Sequence, residues 1–130
     1  MKLSFTLPIK PVHAHCDLPC GVYDPAQAKI EAQSVKAIME KYAGLDDQNK
    51  TRAIIIKEER AELVKHHLMV LWADYFKPEH LAKYPDLHTM FWQGIKLASD
   101  CKHHVEAEHG QKLVEAIDEI AEIFWETKKA

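Results

Sequence analysis

Glycine is scarce in this chain, with 4 residues in 130, and no apolar stretch approaches the ~20 residues that span a membrane. Lys and Arg total 17 against 20 acidic residues, so the sequence lacks the basic excess that a nucleic-acid interface requires. Three cysteines are too few for a disulfide-stapled secreted scaffold. These absences predict a cytoplasmic, single-domain protein that binds neither nucleic acid nor a membrane.

Helical periodicity dominates the rest of the sequence. Asp24 and Pro25 are typical of a helix start, and Gly44 is typical of a helix end. A second helix is predicted over about 51–76, a third from Pro85 onward, and a fourth over about 111–127 after a loop that contains histidine and glycine. The pattern predicts an all-α fold, an antiparallel up-and-down four-helix bundle.

One face of each predicted helix carries the residues that would form the core. These residues are Ala28, Glu31, Val35, Ile38, Met39 and Tyr42 in the first helix; Ile56, Leu63, Val64, Leu68, Leu71, Trp72 and Tyr75 in the second; Leu87, Met90, Phe91, Leu97 and Cys101 in the third; and Leu113, Ile117, Ile120, Ala121 and Phe124 in the fourth.

The first fourteen residues, MKLSFTLPIKPVHA, differ in character from the helical part of the chain. Val12 and Ala14 fit the small-residue rule for a signal cleavage site, but Pro8, Lys10 and Pro11 interrupt the apolar run that an export signal needs. We therefore expect a short leader over residues 1–14 that a protease removes, followed by the functional domain over residues 15–130. The alternative is an ordinary frayed N-terminus.

Residues 15–23, HCDLPCGVY, are called the hook here because they place a histidine and two cysteines in a short turn. If the bond before His15 were cut, its free amine, the backbone nitrogen and thiolate of Cys16 and the thiolate of Cys20 would form a plane of two nitrogens and two sulfurs. Ni(II) and Cu(II) prefer such square-planar coordination, whereas zinc prefers a tetrahedron. The imidazole of His15 can reach an axial position.

Three other residues of the hook are predicted to support its shape. Pro19 would bend the turn so that the two sulfurs converge, and Gly21 would permit close backbone approach. Asp17 would brace the hook or meet a neighbouring subunit.

The hook, together with the segments KEERAEL, KHH, LWADYFKP, KYPDLH and IFWETKKA, resembles the nickel-containing superoxide dismutases over essentially all of residues 15–130. The resemblance implies a leader cleaved before the histidine, a four-helix bundle and a homohexamer with one nickel ion per subunit. It also implies disproportionation of superoxide to O₂ and H₂O₂ while nickel alternates between Ni(II) and Ni(III). Anionic thiolates and a deprotonated amide would stabilise Ni(III).

Glu31 and Arg60 are charged residues on otherwise apolar helical faces. If the first two helices pair as an antiparallel hairpin, Glu31 and Arg60 are offset along the helices by about one turn, ~6 Å, which a guanidinium can span. They form either a pair at the edge of the apolar faces, with solvated ends, or a buried support. The family resemblance implies that this pair holds the axial histidine and orients its ring.

The same hairpin brings the end of the second helix toward the hook. Tyr23 lies within the hook, and Tyr75 and Lys77 lie at that helix end. The resemblance implies that both tyrosines control access of superoxide to the metal, and Lys77 is a candidate for local attraction of the anion. The alternatives are core packing for Tyr75 and an ordinary surface position for Lys77.

Several other residues are predicted to have structural roles. Adjacent helical residues face different directions, so the pairs His66–His67 and His103–His104 are not expected to chelate a metal jointly. Cys101 is predicted to be a buried thiol, and the pairs Phe91–Trp92 and Phe124–Trp125 to lie in the core or a subunit interface.

Two alternative functions remain open from the residues alone. The first is a zinc- or disulfide-based redox module, in which Cys16 and Cys20 bind zinc with a histidine or form a regulatory disulfide. The second is a helical binding protein without catalysis.

Overall fold

The computed structural model describes residues 21–129, which form five α-helices and no strand. These are α1 Ala26–Tyr42, α2 Asp47–Val70, α3 Pro78–Lys83, α4 Leu87–His103 and α5 Ala107–Lys129. The long helices pack in the order α1, α2, α4, α5, and α5 closes against α1. This arrangement confirms the predicted all-α four-helix bundle. Within the described range, no helix is long and apolar enough to cross a bilayer.

The core lies along the axis of the bundle and contains mainly aliphatic side chains with two phenylalanines. Its most deeply buried members are Ala28, Ala32, Val35, Ala61, Val64, Leu68, Leu87, Phe91, Ala98, Cys101, Leu113, Ile117, Ile120 and Phe124. Burial of each large apolar side chain contributes about 1.5–3 kcal/mol to folding. Cys101 is a buried free thiol, as predicted, and burial raises its pKa to about 11. It is therefore a protonated core residue at neutral pH.

The inner face of α2 differs from the prediction. Ile56, predicted to face the core, is 39% exposed, and its neighbour Lys57 is 2% exposed. The buried residues Ala53, Lys57 and Ala61 are spaced by one helical turn, which fixes the side of the helix that faces inward. The sequence does not show which side faces inward, because the residues at 54–56 are all isoleucine and equally apolar.

Lys57 is buried because its ammonium group binds the C-terminal end of α4. Its Nζ donates hydrogen bonds to the carbonyl oxygens of Cys101, Lys102 and His104 at 2.5, 3.1 and 2.5 Å. Carbonyls at a helix C-terminus lack partners within the helix and carry the negative end of its dipole. Burial lowers the pKa of Lys57, so desolvation of the ammonium offsets part of the stabilisation.

Two helices begin earlier than the sequence predicted. The carboxylate of Asp46 accepts the N–H of Asn49 at 2.9 Å and caps α2 before the expected start. α5 includes Gly110, which was predicted to lie in a loop. A Cβ at Gly110 would lie 2.8 Å from the Cα of Lys36, so glycine is required here by the close approach of α1 and α5.

The start of α1 differs from the prediction by one residue. Pro25, rather than Asp24, occupies the position before the first helical residue. The Asp24 carboxylate still serves the helix start, because its Oδ1 accepts the N–H of Ala26 at 2.8 Å.

A π-helical turn, Leu71–Tyr75, continues α2 and determines where Tyr75 lies. The N–H of Phe76 donates to the carbonyl of Leu71, five residues back, at 3.0 Å. Phe76 is then extended, and Pro78 begins α3, a short helix that the sequence analysis did not predict. The turn places Tyr75 at the end of the bundle where α1 begins.

Candidate metal centre

The predicted ligands His15, Cys16 and Cys20, together with Asp17 and Pro19, lie outside the described residues, as does the predicted leader. The described part of the hook comprises Gly21, Val22 and Tyr23. These residues lie at the end of the bundle formed by the start of α1 and the ends of α2 and α5.

Gly21 has a backbone φ of +70°, a left-handed conformation that favours glycine. A Cβ built at this position meets no described atom within 4 Å. Within the described residues, glycine is therefore favoured by the backbone angle rather than by the close approach that the sequence analysis expected. The carbonyl oxygen of Gly21 faces the ammonium of Lys128 at 3.5 Å.

Tyr23 and Tyr75 are brought together, as the hairpin argument predicted. Their ring centroids are 5.7 Å apart and their planes are tilted by 52°. Both side chains are half-buried. Two phenol rings, one of which belongs to the last residue of the hook, therefore lie together at this end of the bundle.

Tyr75 is fixed by α5. Its hydroxyl is 2.7 Å from Oγ1 of Thr127, and that oxygen donates its own hydrogen to the carbonyl of Phe124 at 2.6 Å. Because a threonine hydroxyl has a single hydrogen, the Tyr75 O–H must be the donor to Thr127. The Tyr75 ring also packs against the Phe124 ring, with centroids 4.4 Å apart. Tyr75 is thus held by a hydrogen bond and by core packing.

Glu31 and Arg60 form the ion pair that the sequence predicted. Nη1 of Arg60 lies 3.4 Å from Oε1 and 3.3 Å from Oε2 of Glu31, and the Glu31 side chain is only 16% exposed. These distances exceed the 2.7–2.9 Å typical of strong charge-assisted hydrogen bonds. Arg60 also contacts the exposed Glu59 at 3.4 Å.

His67 lies near the hook, although the sequence analysis gave it only a structural or surface role. It lines a cleft of about 80 Å³ together with Val22, Tyr23, Asp24, Gln27, Val70 and Leu71. Burial lowers the pKa of His67, whereas the charge of Glu31 opposes this shift. His67 follows Arg60 by two helical turns, and this spacing was the available signal that both lie on one face of α2.

Lys77 and Lys128 are the two lysines nearest in sequence to Tyr75 and Thr127. The Lys77 side chain is exposed, and its backbone N–H donates to Nδ1 of His80 at 3.1 Å at the start of α3. The ammonium of Lys128 lies 5.0 Å from the centroid of the Tyr75 ring. Lys128, which the sequence analysis missed, is part of the IFWETKKA segment that carried the family resemblance.

The other residues given structural roles divide between core and surface. Phe91 and Phe124 are buried, whereas Trp92 and Trp125 are 57% and 46% exposed. His66 and His67 meet edge to face at 5.4 Å. His104 stacks on His109 rather than pairing with the adjacent His103.

The surroundings of the hook suit a metal bound by anionic sulfur and nitrogen donors. Gly21, in a left-handed conformation, is the first described residue after Cys20, and the Lys128 ammonium, the rings of Tyr23 and Tyr75 and the His67 imidazole lie at this end of the bundle. The donor types available in the hook sequence, which are thiolates, backbone nitrogens and an imidazole, fit nickel.

Comparison with known proteins gives the same assignment along almost the whole chain. The family model for nickel-containing superoxide dismutases matches residues 10–128. The Superoxide dismutase [Ni] proteins of Streptomyces coelicolor and Streptomyces seoulensis are each 60% identical to this chain over 120 residues, which is 92% of both partners.

Solved structures are similar in both sequence and fold. A native structure of nickel superoxide dismutase has a TM-score of 0.87 and 59% identity, covering 89% of this chain and 100% of its own. A structure with nickel ligation corresponding to the oxidised state has a TM-score of 0.86 and 60% identity over the same shares. With a matching family model, close relatives and a shared fold, this chain belongs to the nickel-containing superoxide dismutase family.

Proposed function

We propose that this chain is the precursor of a nickel superoxide dismutase whose metal site is completed by cleavage before His15. The reaction consumes two superoxide anions and two protons and yields O₂ and H₂O₂. The observation that carries the proposal is that the HCDLPCGVY hook ends in Tyr23, whose ring lies 5.7 Å from that of Tyr75. The last residue of the hook is thus paired with a half-buried phenol at the end of the second helix.

Removal of residues 1–14 would convert the backbone nitrogen of His15 from an amide to an amine. That amine, the amide and thiolate of Cys16 and the thiolate of Cys20 would then be the two nitrogen and two sulfur donors that hold the nickel ion. Nickel held there would supply the one-electron redox chemistry that the disproportionation needs. Asp17 and Pro19 support the turn between the ligands.

The Glu31–Arg60 pair is proposed to position the imidazole of His15. A half-buried carboxylate can accept the imidazole N–H that is not directed at the metal, and this contact fixes the ring orientation. The 3.3 Å contact with Arg60 holds that carboxylate in place. Glu31 and Arg60 are therefore positioning residues.

Tyr23 and Tyr75 are proposed to line the approach of superoxide to the hook. Their paired rings limit access by larger molecules, and a phenol hydroxyl can donate its hydrogen to an anion, which for Tyr75 requires that the hydroxyl first leave Thr127. Lys77 is proposed to attract superoxide, and the ammonium of Lys128 near the Gly21 carbonyl adds positive charge at the same end of the bundle.

Assembly, location and processing are part of the same proposal. A homohexamer with one nickel ion per subunit is supported by the family resemblance, and a cytoplasmic location by the small number of cysteines. The homohexamer is also consistent with large apolar side chains exposed on the described surface, among them Ile30, Ile55, Met69 and Trp92. A protease that cuts before His15 is required.

Nickel loading of the chain cleaved before His15 tests the proposal. We expect catalytic removal of superoxide and the rhombic spin signal of Ni(III), both lost in Cys16→Ser, because a thiolate ligand is removed. A zinc-loaded sample is the control for the alternative zinc module. Absence of superoxide removal in the nickel-loaded chain, or equal removal with zinc, would contradict the proposal.

A further inference from the structure

A second group of possible metal ligands lies at the connection between α4 and α5. His104 follows the last residue of α4 in an extended conformation, Glu106 precedes α5, and His109 lies in the first turn of α5. One ligand atom from each side chain lies within 4.8 Å of the other two. Between residues 21 and 129 this is the one such group of three His, Cys, Asp or Glu side chains.

The three side chains are already oriented toward one another. The rings of His104 and His109 stack with centroids 4.2 Å apart and planes only 5° from parallel. Nδ1 of His104 lies 3.6 Å from Oε2 of Glu106. The N–H of His109 bonds to the carbonyl of Glu106 at 3.2 Å, which places these two residues on one face of the helical turn.

We propose that His104, Glu106 and His109 form a metal site, separate from the hook, for a borderline divalent cation such as Zn²⁺. Two imidazole nitrogens and one carboxylate oxygen are ligands that zinc accepts, with water in the fourth position. Zinc–ligand bonds of ~2.0–2.1 Å place tetrahedral ligand atoms about 3.3 Å apart. The side chains reach that spacing by rotation about their own bonds, which separates the stacked rings.

The backbone that carries His104 is fixed. Its carbonyl oxygen accepts a hydrogen bond from the buried ammonium of Lys57, which also binds the carbonyls of Cys101 and Lys102. The Glu106 carboxylate is held through Oε2, which accepts the N–H of Val105 at 3.1 Å. Binding a metal therefore requires ordering of exposed side chains but little ordering of the chain.

The helix dipoles have opposite effects on a cation here. The N-terminus of α5 disfavours positive charge, whereas the C-terminus of α4 favours it. The charge of Glu106 adds to the favourable side. The two dipole effects oppose each other, so the two imidazoles and the carboxylate determine the affinity for the metal.

The site lies far from the hook. His109 is in the first turn of α5 and Thr127 in the last, which separates them by roughly 27 Å along the helix at ~1.5 Å per residue. Metal bound at the α4–α5 connection can therefore be measured separately from metal bound at the hook, once the hook thiolates are removed.

Zinc titration of the full chain carrying Cys16→Ser and Cys20→Ser tests the proposal, because that background removes the competing thiolates. Competition with a chromophoric chelator is expected to show one Zn²⁺ per chain at micromolar affinity. His104→Ala and His109→Ala are each expected to weaken binding about tenfold or more, because each removes one of three protein ligands. His103→Ala, an exposed histidine outside the group, is the matched control and is expected to bind as the parent does.

Circular dichroism of each variant verifies that the helices are intact, and imidazole ¹⁵N shifts on zinc addition identify the ligands directly. Shifts at His104 and His109 support the site. Absence of zinc binding at millimolar concentration, unchanged binding in both variants, or an equal loss in His103→Ala would overturn it.

Discussion

At the scale of single residues, the interaction of Glu31 with Arg60 connects α1 to α2. The carboxylate is mostly buried and the guanidinium is its described cationic partner, at 3.3 Å. A charge held in this way can fix the orientation of a neighbouring imidazole better than a solvated side chain can. The catalytic consequence of losing either partner is therefore expected to exceed the consequence for stability.

Glu31→Ala and Arg60→Ala are each expected to lower superoxide turnover by about ten- to a hundredfold, because the loss of such support typically has this effect on a metal site. The rhombic Ni(III) signal is expected to change with it. Glu59→Ala removes the exposed partner of Arg60 and is the matched control, expected to retain full turnover. Unchanged turnover and an unchanged nickel signal in both test variants would remove these residues from the proposed site.

Tyr75 gives a second prediction at this scale. Tyr75→Phe removes the hydrogen bond to Thr127 and is expected to cost about 1 kcal/mol of unfolding free energy. If superoxide displaces Thr127 as the partner of this hydroxyl, loss of a similar energy lowers the catalytic rate constant by about fivefold.

Tyr84→Phe is the control for Tyr75→Phe, because its hydroxyl donates to Glu126 of α5 at 2.7 Å and sits on the exposed surface. Urea unfolding and pulse radiolysis separate the two effects. Equal rate losses in the two variants would show that the Tyr75 hydroxyl acts only through stability.

At the scale of helices, Lys57 is the feature that most distinguishes this bundle from a purely apolar one. Replacement by methionine keeps an unbranched side chain, one atom shorter, but removes the three hydrogen bonds to the end of α4. We expect Lys57→Met to lower the free energy of unfolding by about 2–3 kcal/mol, because hydrogen bonds to a charged group are strong, although desolvation of the ammonium offsets part of this.

Lys65→Met is the control, because Lys65 lies on the same helix but forms a surface pair with Glu62 at 3.5 Å. It is expected to change stability by less than about 0.5 kcal/mol in urea unfolding. A Lys57→Met protein as stable as the parent would show that the buried ammonium contributes nothing net.

The elements show which parts of the fold the sequence could and could not predict. Four amphipathic segments and short links were sufficient to predict the bundle and the hairpin that joins Glu31 to Arg60. The side of α2 that faces the core was not predictable. Three consecutive isoleucines allow any of three sides to face inward, and a lysine was not expected in the core. The sequence predicts a loop at Gly110, because its close contact with Lys36, which is distant in sequence, is not visible there.

The candidate site was predictable to a similar extent. Tyr23 and Tyr75 were predicted to meet because hairpin geometry fixes which helix ends are adjacent. The position of Lys128 could not be predicted, because it depends on how the end of α5 packs against the start of α1, whereas the spacing of His67 from Arg60 was a usable signal. The stacking of His104 on His109 at the α4–α5 connection could not be predicted either, because the two residues are five apart in sequence.

At the scale of the whole molecule, net charge and local charge have opposite signs. The chain carries −3 overall, which repels superoxide, whereas Lys77 and Lys128 lie near the end of the bundle that holds the hook. Local positive potential can raise the rate of encounter with an anion even when the net charge is negative.

Lys77→Gln is expected to lower the second-order rate constant by about two- to threefold at low ionic strength and to flatten its dependence on salt, because exposed charges are screened within ~10 Å at 0.1 M. Lys83→Gln, at the end of the short helix α3 that follows Lys77, is the control and is expected to behave as the parent. Identical salt profiles for the parent and Lys77→Gln would assign Lys77 an ordinary surface role.

The central claim is that the amine of His15 completes the nickel site. Its most direct test is a superoxide assay of the nickel-loaded chain, with and without residues 1–14, in samples whose N-terminus is established by mass spectrometry. We expect activity and the rhombic Ni(III) signal only when His15 is the first residue. Full activity in the uncleaved chain would contradict the amine-ligand mechanism.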